Sequence, residues 1–405
     1  MDSEWKKEPL YKYIEINPRE TIAKGCVAKK IGMDKLQPFR RDISDYELSV
    51  FSGGSKFRNG DTIMARITPC LENGKVAMVN ILDENEIGFG STEYIVFRAK
   101  EKLTTPDFAY YLVCSSLIRE PAIKSMVGSS GRQRVQTDVV ENLEIKFPPL
   151  SQQIRIASIL KSLDDRIDIN NQINNNLEQQ VKALFKSWFI DFEPFGGKQP
   201  PEMQFVPLQD LCKVVTKGTT PTTLGKPFTT SGINFIKAES ILDNHSIDTT
   251  KFAYIDDETN AMLKRSIIEV NDIVFTIAGT LGRFALIDES VLPANTNQAV
   301  AIIRPDTNKV AASYVYSFFI GNWHNDYYSK RVQQAVQANL SLTTIKSLPI
   351  AILSDNTMKK YDELVNPLFA LMKSNEEENR KLSTLRDMLL PKLMSGGLDL
   401  SEVKI

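Results

Sequence analysis

The chain has 405 residues, of which 42% are hydrophobic and 24% are charged, and its 49 basic and 50 acidic side chains give a formal net charge of −1. This length predicts two to three domains with cores of their own. No apolar run reaches 18 residues, and no apolar stretch follows the first charged residues, so we expect neither a membrane span nor a signal peptide. The near-zero charge counts against a uniformly basic nucleic-acid binder but is compatible with local basic patches.

Two histidines disfavour a histidine-rich metal centre. The four cysteines lie far apart and form no C-x-x-C pair, which predicts free thiols in a reducing, cytoplasmic compartment rather than a disulfide framework or a zinc site. They are Cys26, Cys70, Cys114 and Cys212.

Residues 1–150 are predicted to form a globular domain of mixed α and β structure. Short runs rich in branched apolar residues, separated by glycine-containing turns, predict strands at 62–67, 76–81 and 93–97. Pro106 opens a predicted helix whose apolar residues, such as Phe108, face a core. The pair Pro148-Pro149 ends the domain.

A long helix is predicted to begin at the capping residue Ser151, within a segment of residues 151–204 that ends in a Pro- and Gly-rich linker. Apolar residues recur every three, four or six positions between charged residues, which is the pattern of a narrow coiled-coil seam. The run Asn170–Asn176 lowers helix propensity, but the seam continues on both sides of it, so we expect an unbroken helix. The predicted pairing residues are Ile156, Leu160, Leu163, Ile167, Leu177 and Leu184.

Residues 205–354 are predicted to form a second globular domain, and residues 355–405 a second long helix. Pro367 lies inside that helix and could kink or divide it, whereas Gly396 would help to end it. The predicted pairing residues of the second helix are Leu382, Leu385 and Leu389.

The second half of the chain repeats the first. Leu177 corresponds to Leu382, about half a chain later, and Ser91-Thr92-Glu93 corresponds to Thr296-Asn297-Gln298. A repeat this long indicates a duplicated module rather than a solenoid unit, and it predicts pseudo-two-fold symmetry suited to a target with two similar halves. The two helices could pair in parallel or antiparallel, or each could pack on its own domain. Their length and narrow apolar stripe favour pairing with each other.

The sequence offers little for catalysis. It contains neither a P-loop nor a G-x-G-x-x-G motif. Asp107, Glu144 and Lys146 imitate a nuclease motif, which leaves a metal-dependent endonuclease as an alternative. However, Asp107 is predicted to open a helix, and the second copy has no matching carboxylates. A coiled-coil scaffold without DNA binding is the other alternative.

Polar loops at equivalent places in both copies predict contact with DNA. Val127–Gln136 is a Gly/Ser loop with two arginines and two glutamines, and Lys330–Asn339 is its counterpart. Arginine suits guanine and phosphate, and glutamine suits adenine. The candidate DNA-binding residues of the first copy are Lys29, Lys30, Arg40, Arg41, Lys56, Arg58, Arg66, Thr68, Arg132, Gln133, Arg134 and Gln136. Those of the second copy are Lys217, Thr219, Thr220, Thr222, Lys226, Lys237, Arg283, Lys330, Arg331, Gln333, Gln334, Gln337 and Asn339.

Two motifs flank these domains. P-P-L-x-x-Q begins at Pro148, ahead of the first long helix, and L-x-x-L-R-D-x-L-L-P-x-L-x-S-G runs from Leu382 to Gly396. With these motifs, the whole chain resembles the specificity subunit of type I restriction–modification systems. It departs from that pattern at Gln152, where glutamate is common, and the second helix lacks the P-P-L start.

The resemblance implies an α+β fold in which two tandem α/β target-recognition domains are separated by two long helices that form an antiparallel coiled coil. Each domain would read one half of a split site in double-stranded DNA. The helices would dock two methyltransferase subunits and, through them, motor-nuclease subunits. No catalytic or metal-binding residue is expected in this chain, because S-adenosylmethionine, ATP and magnesium would belong to the partner subunits.

Overall fold

The computed structural model describes residues 5–324 and 340–398. The chain divides into two compact units: unit 1 comprises Met1–Asn171 and Glu376–Ile405, and unit 2 comprises Gln172–Asn375. The four segments predicted from the sequence have their boundaries at the ends of the long helices. The two compact units instead each contain one part of both long helices.

The described part of unit 1 contains ten strands and three short helices. The strands are β1 (Lys6–Pro9), β2 (Ile14–Ile16), β3 (Val27–Ile31), β4 (Glu47–Val50), β5 (Lys56–Phe57), β6 (Thr62–Ala65), β7 (Val76–Met78), β8 (Gly88–Gly90), β9 (Tyr94–Ala99) and β10 (Glu144–Phe147). The helices are α1 (Pro106–Cys114), α2 (Ser116–Lys124) and α3 (Thr137–Glu141).

Two four-stranded sheets form the body of unit 1, with strand orders β2-β9-β6-β7 and β4-β3-β8-β5. Neighbouring strands are antiparallel except β3 and β8. All four residues of β6 are buried, as expected for a strand covered on both faces. The predicted strands at 62–67, 76–81 and 93–97 are confirmed as β6, β7 and β9, with bounds that differ by a few residues.

The start of α1 follows from its sequence. The Thr105 side chain accepts a hydrogen bond from the backbone N–H of Phe108 at 3.2 Å, and Pro106 occupies the first turn. A threonine cap and a proline at the first position both favour helix initiation. The helix buries Phe108 and Tyr111 in the core of unit 1, as the sequence predicted for Phe108.

Unit 2 repeats the strand order of unit 1. Its described strands are β11 (Gln204–Pro207), β12 (Cys212–Lys217), β13 (Ile233–Ile236), β14 (Ala253–Ile255), β15 (Ile273–Thr276), β16 (Phe284–Leu286), β17 (Ala294–Thr296), β18 (Val300–Pro305) and β19 (Pro349–Ile352). The order β12-β18-β15-β16 matches β2-β9-β6-β7, and β14-β13-β17 matches β4-β3-β8, with β13 and β17 parallel like β3 and β8.

Both units also contain the same buried ion pair. Asp61, just before β6, is 1% exposed and binds the guanidinium of Arg98 on β9 at 2.7 and 2.6 Å. In unit 2, Asp272 is fully buried before β15 and binds Arg304 on β18 at 2.7 and 2.8 Å. Burial raises the pKa of each carboxyl group, and the arginine opposes that shift.

The two long helices are α4 (Leu150–Phe189) and α8 (Asp355–Met394). Three short helices lie between them in the chain: α5 (Asp257–Met262), α6 (Ala312–Ile320) and α7 (Leu342–Lys346). Helix α4 starts one residue before the predicted cap, so Ser151 lies within it. Pro367 does not divide α8. The helix ends where Gly396 adopts a φ of +73° and the N–H of Gly397 donates to the Lys392 carbonyl at 2.9 Å, as in a glycine-terminated helix. In residues 5–324 and 340–398, no helix has the length and apolar character of a membrane span.

In unit 1, the segments of α4 and α8 lie side by side and run in opposite directions. Asp164 accepts from Arg386 at 2.8 Å, whereas Asn170, further along α4, donates to Asn379 at 2.9 Å. Arg166 lies between Asp164 and Asn170 in α4 and donates to the Glu378 carboxylate at 3.0 Å.

The helix segments of unit 2 also run in opposite directions. Asn375 donates to Asn174 at 2.7 Å. Towards the end of α4, the ring of Phe189 lies 5.0 Å from that of Tyr361. The asparagine-rich middle of α4 is therefore a contact surface for α8 within each unit.

Burial along these helices differs from the predicted seam. Ile156 and Leu160 are fully buried in the unit 1 core, and Leu177 is 7% exposed. Leu385, predicted to pair, is instead 44% exposed. Glu378 and Asn379 on the facing helix accept hydrogen bonds from Nδ2 of the buried Asn170, whereas the apolar Ile169 and Ile173 near the middle of α4 are 48% and 38% exposed. The remaining predicted pairing residues are partly buried: Leu163, Ile167, Leu184, Leu382 and Leu389.

Candidate nucleic-acid interface

The 127–136 loop is fixed to the end of β6 in unit 1. The N–H of Gln133 donates to the Thr68 hydroxyl, and its carbonyl accepts from the N–H of Thr68, both at 3.0 Å. The backbone of Arg134 forms a β-bridge with the residue that follows Arg66. The structure thus brings together predicted residues from distant parts of the sequence, namely Arg66, Thr68, Gln133 and Arg134.

Glu93 lies between the two arginines of this region. Arg134 donates to its carboxylate through Nε at 3.0 Å and through Nη2 at 2.7 Å, and Arg66 Nε lies 3.9 Å away. The hydrogen bond from Arg134 is the main cause that holds the pKa of Glu93 below its usual value. The three side chains, here called the Glu93 cluster, are all partly exposed to solvent.

An open pocket of about 510 Å³ adjoins the Glu93 cluster. Three basic residues line it: Arg19, Lys56 and Arg66. Tyr94 is 2% exposed and also lines the pocket, and its hydroxyl has no hydrogen-bond partner among the described residues. Basic side chains at an open pocket suit phosphate oxygens and base edges.

Other predicted cations of unit 1 are already paired. The Lys29 ammonium, on a residue that is 8% exposed, lies 2.9 Å from the carboxylates of both Asp83 and Glu86. Arg58 binds Glu20 at 2.6 Å. The buried Lys29 is therefore neutralised within the unit, whereas the side chain of Arg58 remains 49% exposed. The remaining predicted residues are exposed or half-buried: Lys30, Arg40, Lys56, Arg132 and Gln136.

Arg41 binds helix α4 rather than facing an outside ligand. Its guanidinium, 6% exposed, donates to Asp42 at 3.1 and 2.8 Å and to Asp165 at 2.5 Å. Burial, followed by the charge of Asp42, raises the pKa of Asp168 to about 6, although Arg40 and Arg41 oppose the shift.

We expect Asp168→Asn to stabilise the protein above pH 6 and to change little below pH 4. The folded-state pKa exceeds the ordinary value of 3.8, so protonation favours folding, and this contribution disappears as the pH rises through about 6. The gain at pH 7.5 should be on the order of 1 kcal/mol, because one pKa unit corresponds to about 1.4 kcal/mol and partial exposure weakens the effect.

Thermal unfolding of Asp168→Asn and wild type between pH 4 and 8 measures this difference. As a matched control, Asp165→Asn loses a bond to Arg41 and should destabilise at neutral pH. Equal pH profiles for wild type and Asp168→Asn would contradict the assignment.

Three of the predicted DNA-binding residues of unit 2 lie at the end of β12: Lys217, Thr219 and Thr220. Arg265 Nη2 lies 3.4 Å from both the Lys217 carbonyl and the Thr219 hydroxyl. The Thr220 hydroxyl donates to Oε1 of Gln298, which is exposed in the connection between β17 and β18. We call these five residues the Gln298 cluster.

Three other predicted cations of unit 2 pair with carboxylates of the same unit. These pairs are Lys226–Glu258 at 2.8 Å, Lys237–Glu239 at 2.7 Å and Arg283–Asp243 at 2.6 Å. Thr222 is exposed. Six predicted residues lie outside the described residues: Lys330, Arg331, Gln333, Gln334, Gln337 and Asn339.

Three residues of these clusters are absent from the sequence-based candidates: Glu93, Arg265 and Gln298. The correspondence of Ser91-Thr92-Glu93 with Thr296-Asn297-Gln298 is a signal that could have identified Glu93 and Gln298. No comparable sequence signal marks Arg265.

The residues of the alternative nuclease motif do not form a metal site. Asp107 lies in the first turn of α1, whereas Glu144 on β10 is 3.6 Å from the ammonium of Lys7. Within residues 5–324 and 340–398, no three His, Cys, Asp or Glu side chains are grouped as metal ligands.

Comparison with known proteins identifies the family of the chain. The profile described as "Type I restriction modification DNA specificity domain" matches residues 5–179 and 200–383, which is most of the chain. The chain belongs to this family. It is therefore a DNA-specificity subunit, and family membership supports the prediction that it is non-catalytic.

Full-length relatives agree with this assignment. The chain is 24% identical to the HindI specificity subunit of a type I restriction enzyme from Haemophilus influenzae, across 84% of this chain and 86% of that protein. It is 25% identical to the MjaIX specificity subunit from Methanocaldococcus jannaschii, across 73% and 70%. A type I system S subunit from M. genitalium has a similar fold, with a TM-score of 0.54 and 16% identity over 97% of both chains.

Proposed function

We propose that the protein recognises a two-part DNA site and that each unit reads one part. The observation that carries this proposal is that the two units share a strand order but present different polar residues at the same connection. Glu93 lies between β8 and β9, and Gln298 lies between β17 and β18. A common scaffold with different base-contacting side chains suits two similar domains that recognise different sequences.

The sequence repeat supports a pseudo-two-fold arrangement of these units on an antiparallel coiled coil formed by α4 and α8. The opposite directions of the helix segments within each unit support the antiparallel pairing. A coiled coil of this kind would hold the two recognition units apart and so set the spacer between the two DNA parts.

The long helices would also dock two methyltransferase subunits. Exposed leucines on α8 support a protein partner, because Leu364, Leu371 and Leu385 are 46%, 46% and 44% exposed and recur at multiples of seven residues. Motor-nuclease subunits would join through the methyltransferases. S-adenosylmethionine, ATP and magnesium would bind to these partners, and a partner would flip the target adenine out of the duplex.

The test is to co-express the full chain with its methyltransferase partner and to sequence methylated adenines genome-wide. We expect one motif of two short parts and a fixed spacer, with binding to that duplex roughly 10³-fold or more tighter than to random duplex. A continuous motif, or no motif, would contradict the proposal.

The same protein preparation distinguishes the proposed function from the two alternatives, an endonuclease and a scaffold. Cleavage of plasmid by the chain alone with magnesium would support an endonuclease. A stable complex with the methyltransferase that binds no duplex at low salt would support a scaffold without DNA recognition.

A further inference from the structure

We infer that the connection before β9 in unit 1 and the connection before β18 in unit 2 set the DNA sequence specificity of each unit, through Glu93 with Arg134 in unit 1 and through Gln298 with Thr220 in unit 2. This inference rests on the proposed function and adds the residues and bases involved. In unit 1 the base is a guanine, and in unit 2 it is an adenine.

Glu93 fixes the orientation of the Arg134 guanidinium. The carboxylate accepts from Nε and from Nη2, so it engages one edge of the planar group. Arginine has five N–H donors in a rigid fork, and the outer edge formed by Nη1 and Nη2 points away from Glu93. That edge has the geometry that binds O6 and N7 of guanine in the major groove.

The backbone holds both partners of this pair in place. The Glu93 carbonyl accepts from the Arg66 N–H at 2.9 Å, directly beyond β6. The Arg134 N–H donates to the Val127 carbonyl at 2.9 Å, which closes the loop between these residues. A pair that is 45% and 24% exposed adds little to folding stability. Its fixed geometry instead suits recognition, because less side-chain freedom is lost when DNA binds.

Gln298 occupies the same three-residue connection in unit 2, since β17 ends at Thr296 and β18 begins at Val300. The Thr220 hydroxyl donates to Oε1 of Gln298 and thereby orients its amide. An amide that both donates and accepts matches N7 and N6 of adenine. A carboxylate in this position only accepts and cannot bind N7.

Exchanging the two side chains tests the inference. The variants Glu93→Gln and Gln298→Glu are prepared in the full chain, in complex with the methyltransferase partner, and the methylated motif of each is sequenced. We expect Glu93→Gln to relax one guanine position in one part of the motif, with a roughly 5- to 150-fold loss of discrimination. Gln298→Glu should relax one adenine position in the other part.

Two further variants make the result decisive. Arg134→Lys keeps the charge but loses the planar fork, so it should relax the same guanine as Glu93→Gln. Glu120→Gln, at an exposed pair with Lys124 on α2, is the control and should leave the motif unchanged. If Glu93→Gln fails to fold in thermal unfolding, the motif of Arg134→Lys decides for unit 1.

The outcomes separate this inference from the proposed function. A wild-type complex without a two-part motif would refute the proposed function. A normal wild-type motif that stays unchanged in Glu93→Gln, Arg134→Lys and Gln298→Glu would overturn the inference alone. It would also be overturned if one of these variants changed both parts of the motif.

Discussion

A chimera in which residues 205–350 come from the second recognition domain of another family member should methylate a site that is changed in one part only. Each unit has its own sheets and its own buried cores, so the recognition loops of unit 2 depend on strands inside the exchanged segment. The first part of the site and the spacer should persist, because the segment contains neither the Glu93 cluster nor the long helices.

The helix contacts determine how this chimera is built. Phe185 and Phe189 of α4 are buried in the unit 2 core, where the ring of Phe189 lies 4.9 Å from that of Tyr314 in the exchanged segment. A mismatch there would leave a cavity that costs about 3 to 5 kcal/mol. A second chimera should therefore exchange residues 172–375, which carries the helix segments with the domain.

Sequencing of methylated adenines gives the DNA motif that each chimera recognises. We expect the same new part of the motif from each, and exchange of residues 10–147 should change the opposite part. A chimera that folds and methylates a site changed in both parts would show that the units do not read DNA independently.

Loss of the arginine that pairs with either buried aspartate should be the most destabilising single change outside the apolar cores. Arg98→Leu leaves the Asp61 carboxylate without its bidentate partner in unit 1, and Arg304→Leu does the same to Asp272 in unit 2. Removing one partner of a buried ion pair costs about 3 to 5 kcal/mol, because an uncompensated charge remains. Each unit should therefore be weakened by its own substitution.

The loss should be larger at pH 7 than at pH 5. Burial already raises the pKa of Asp61, and without Arg98 the carboxyl should take up a proton more readily in the folded state. A folded-state pKa above the unfolded one contributes stability at low pH that is lost as the pH rises. Acid should therefore partly rescue Arg98→Leu and Arg304→Leu.

Hydrogen exchange locates the effect, and thermal unfolding measures its size. Amides of β6 and β9 should lose protection in Arg98→Leu, and those of β15 and β18 in Arg304→Leu. The double variant Asp61→Leu/Arg98→Leu should be less destabilised than Arg98→Leu, because the buried Asp61 charge is removed together with its partner and Glu20 keeps its ion pair with Arg58. A half-exposed pair provides the matched control: Arg166→Leu should cost about 1 kcal/mol or less. A similar loss in Arg166→Leu and Arg98→Leu would contradict the importance of burial.

Elements that depend on local sequence were predictable. Pro106 at a helix start and the glycine at the end of α8 act within one helical turn, so their effect does not depend on the rest of the fold. The apolar period of α4 continues past its asparagines, and the helix is indeed unbroken from Leu150 to Phe189.

The pairing face of the long helices was less predictable. Apolar periodicity assigned Leu385 to the seam, but its side chain is 44% exposed, whereas Asn170 is fully buried. An asparagine can be buried at low cost only when a partner supplies hydrogen bonds. Glu378 and Asn379 accept hydrogen bonds from Nδ2 of Asn170 within unit 1, and no local pattern reveals that these residues face each other.

The candidate interface was also predictable only in part from the sequence. Lys29 and Lys56 are equally plausible cations in the sequence. The fold places Lys29 against two carboxylates and Lys56 at an open pocket. Conversely, Glu93 carries no positive charge, and its place in the candidate interface follows from its contact with Arg134.

The sequence by itself determined the duplication, the long helices and the family, because repeats, helical periodicity and motifs are properties of residue order. The tertiary structure decided which charged side chains neutralise one another, which asparagines lie between the helices and which loops meet at the end of β6. These depend on contacts between residues far apart in the chain. The free energy of such a contact is set by burial and by the partner, and residue order specifies neither.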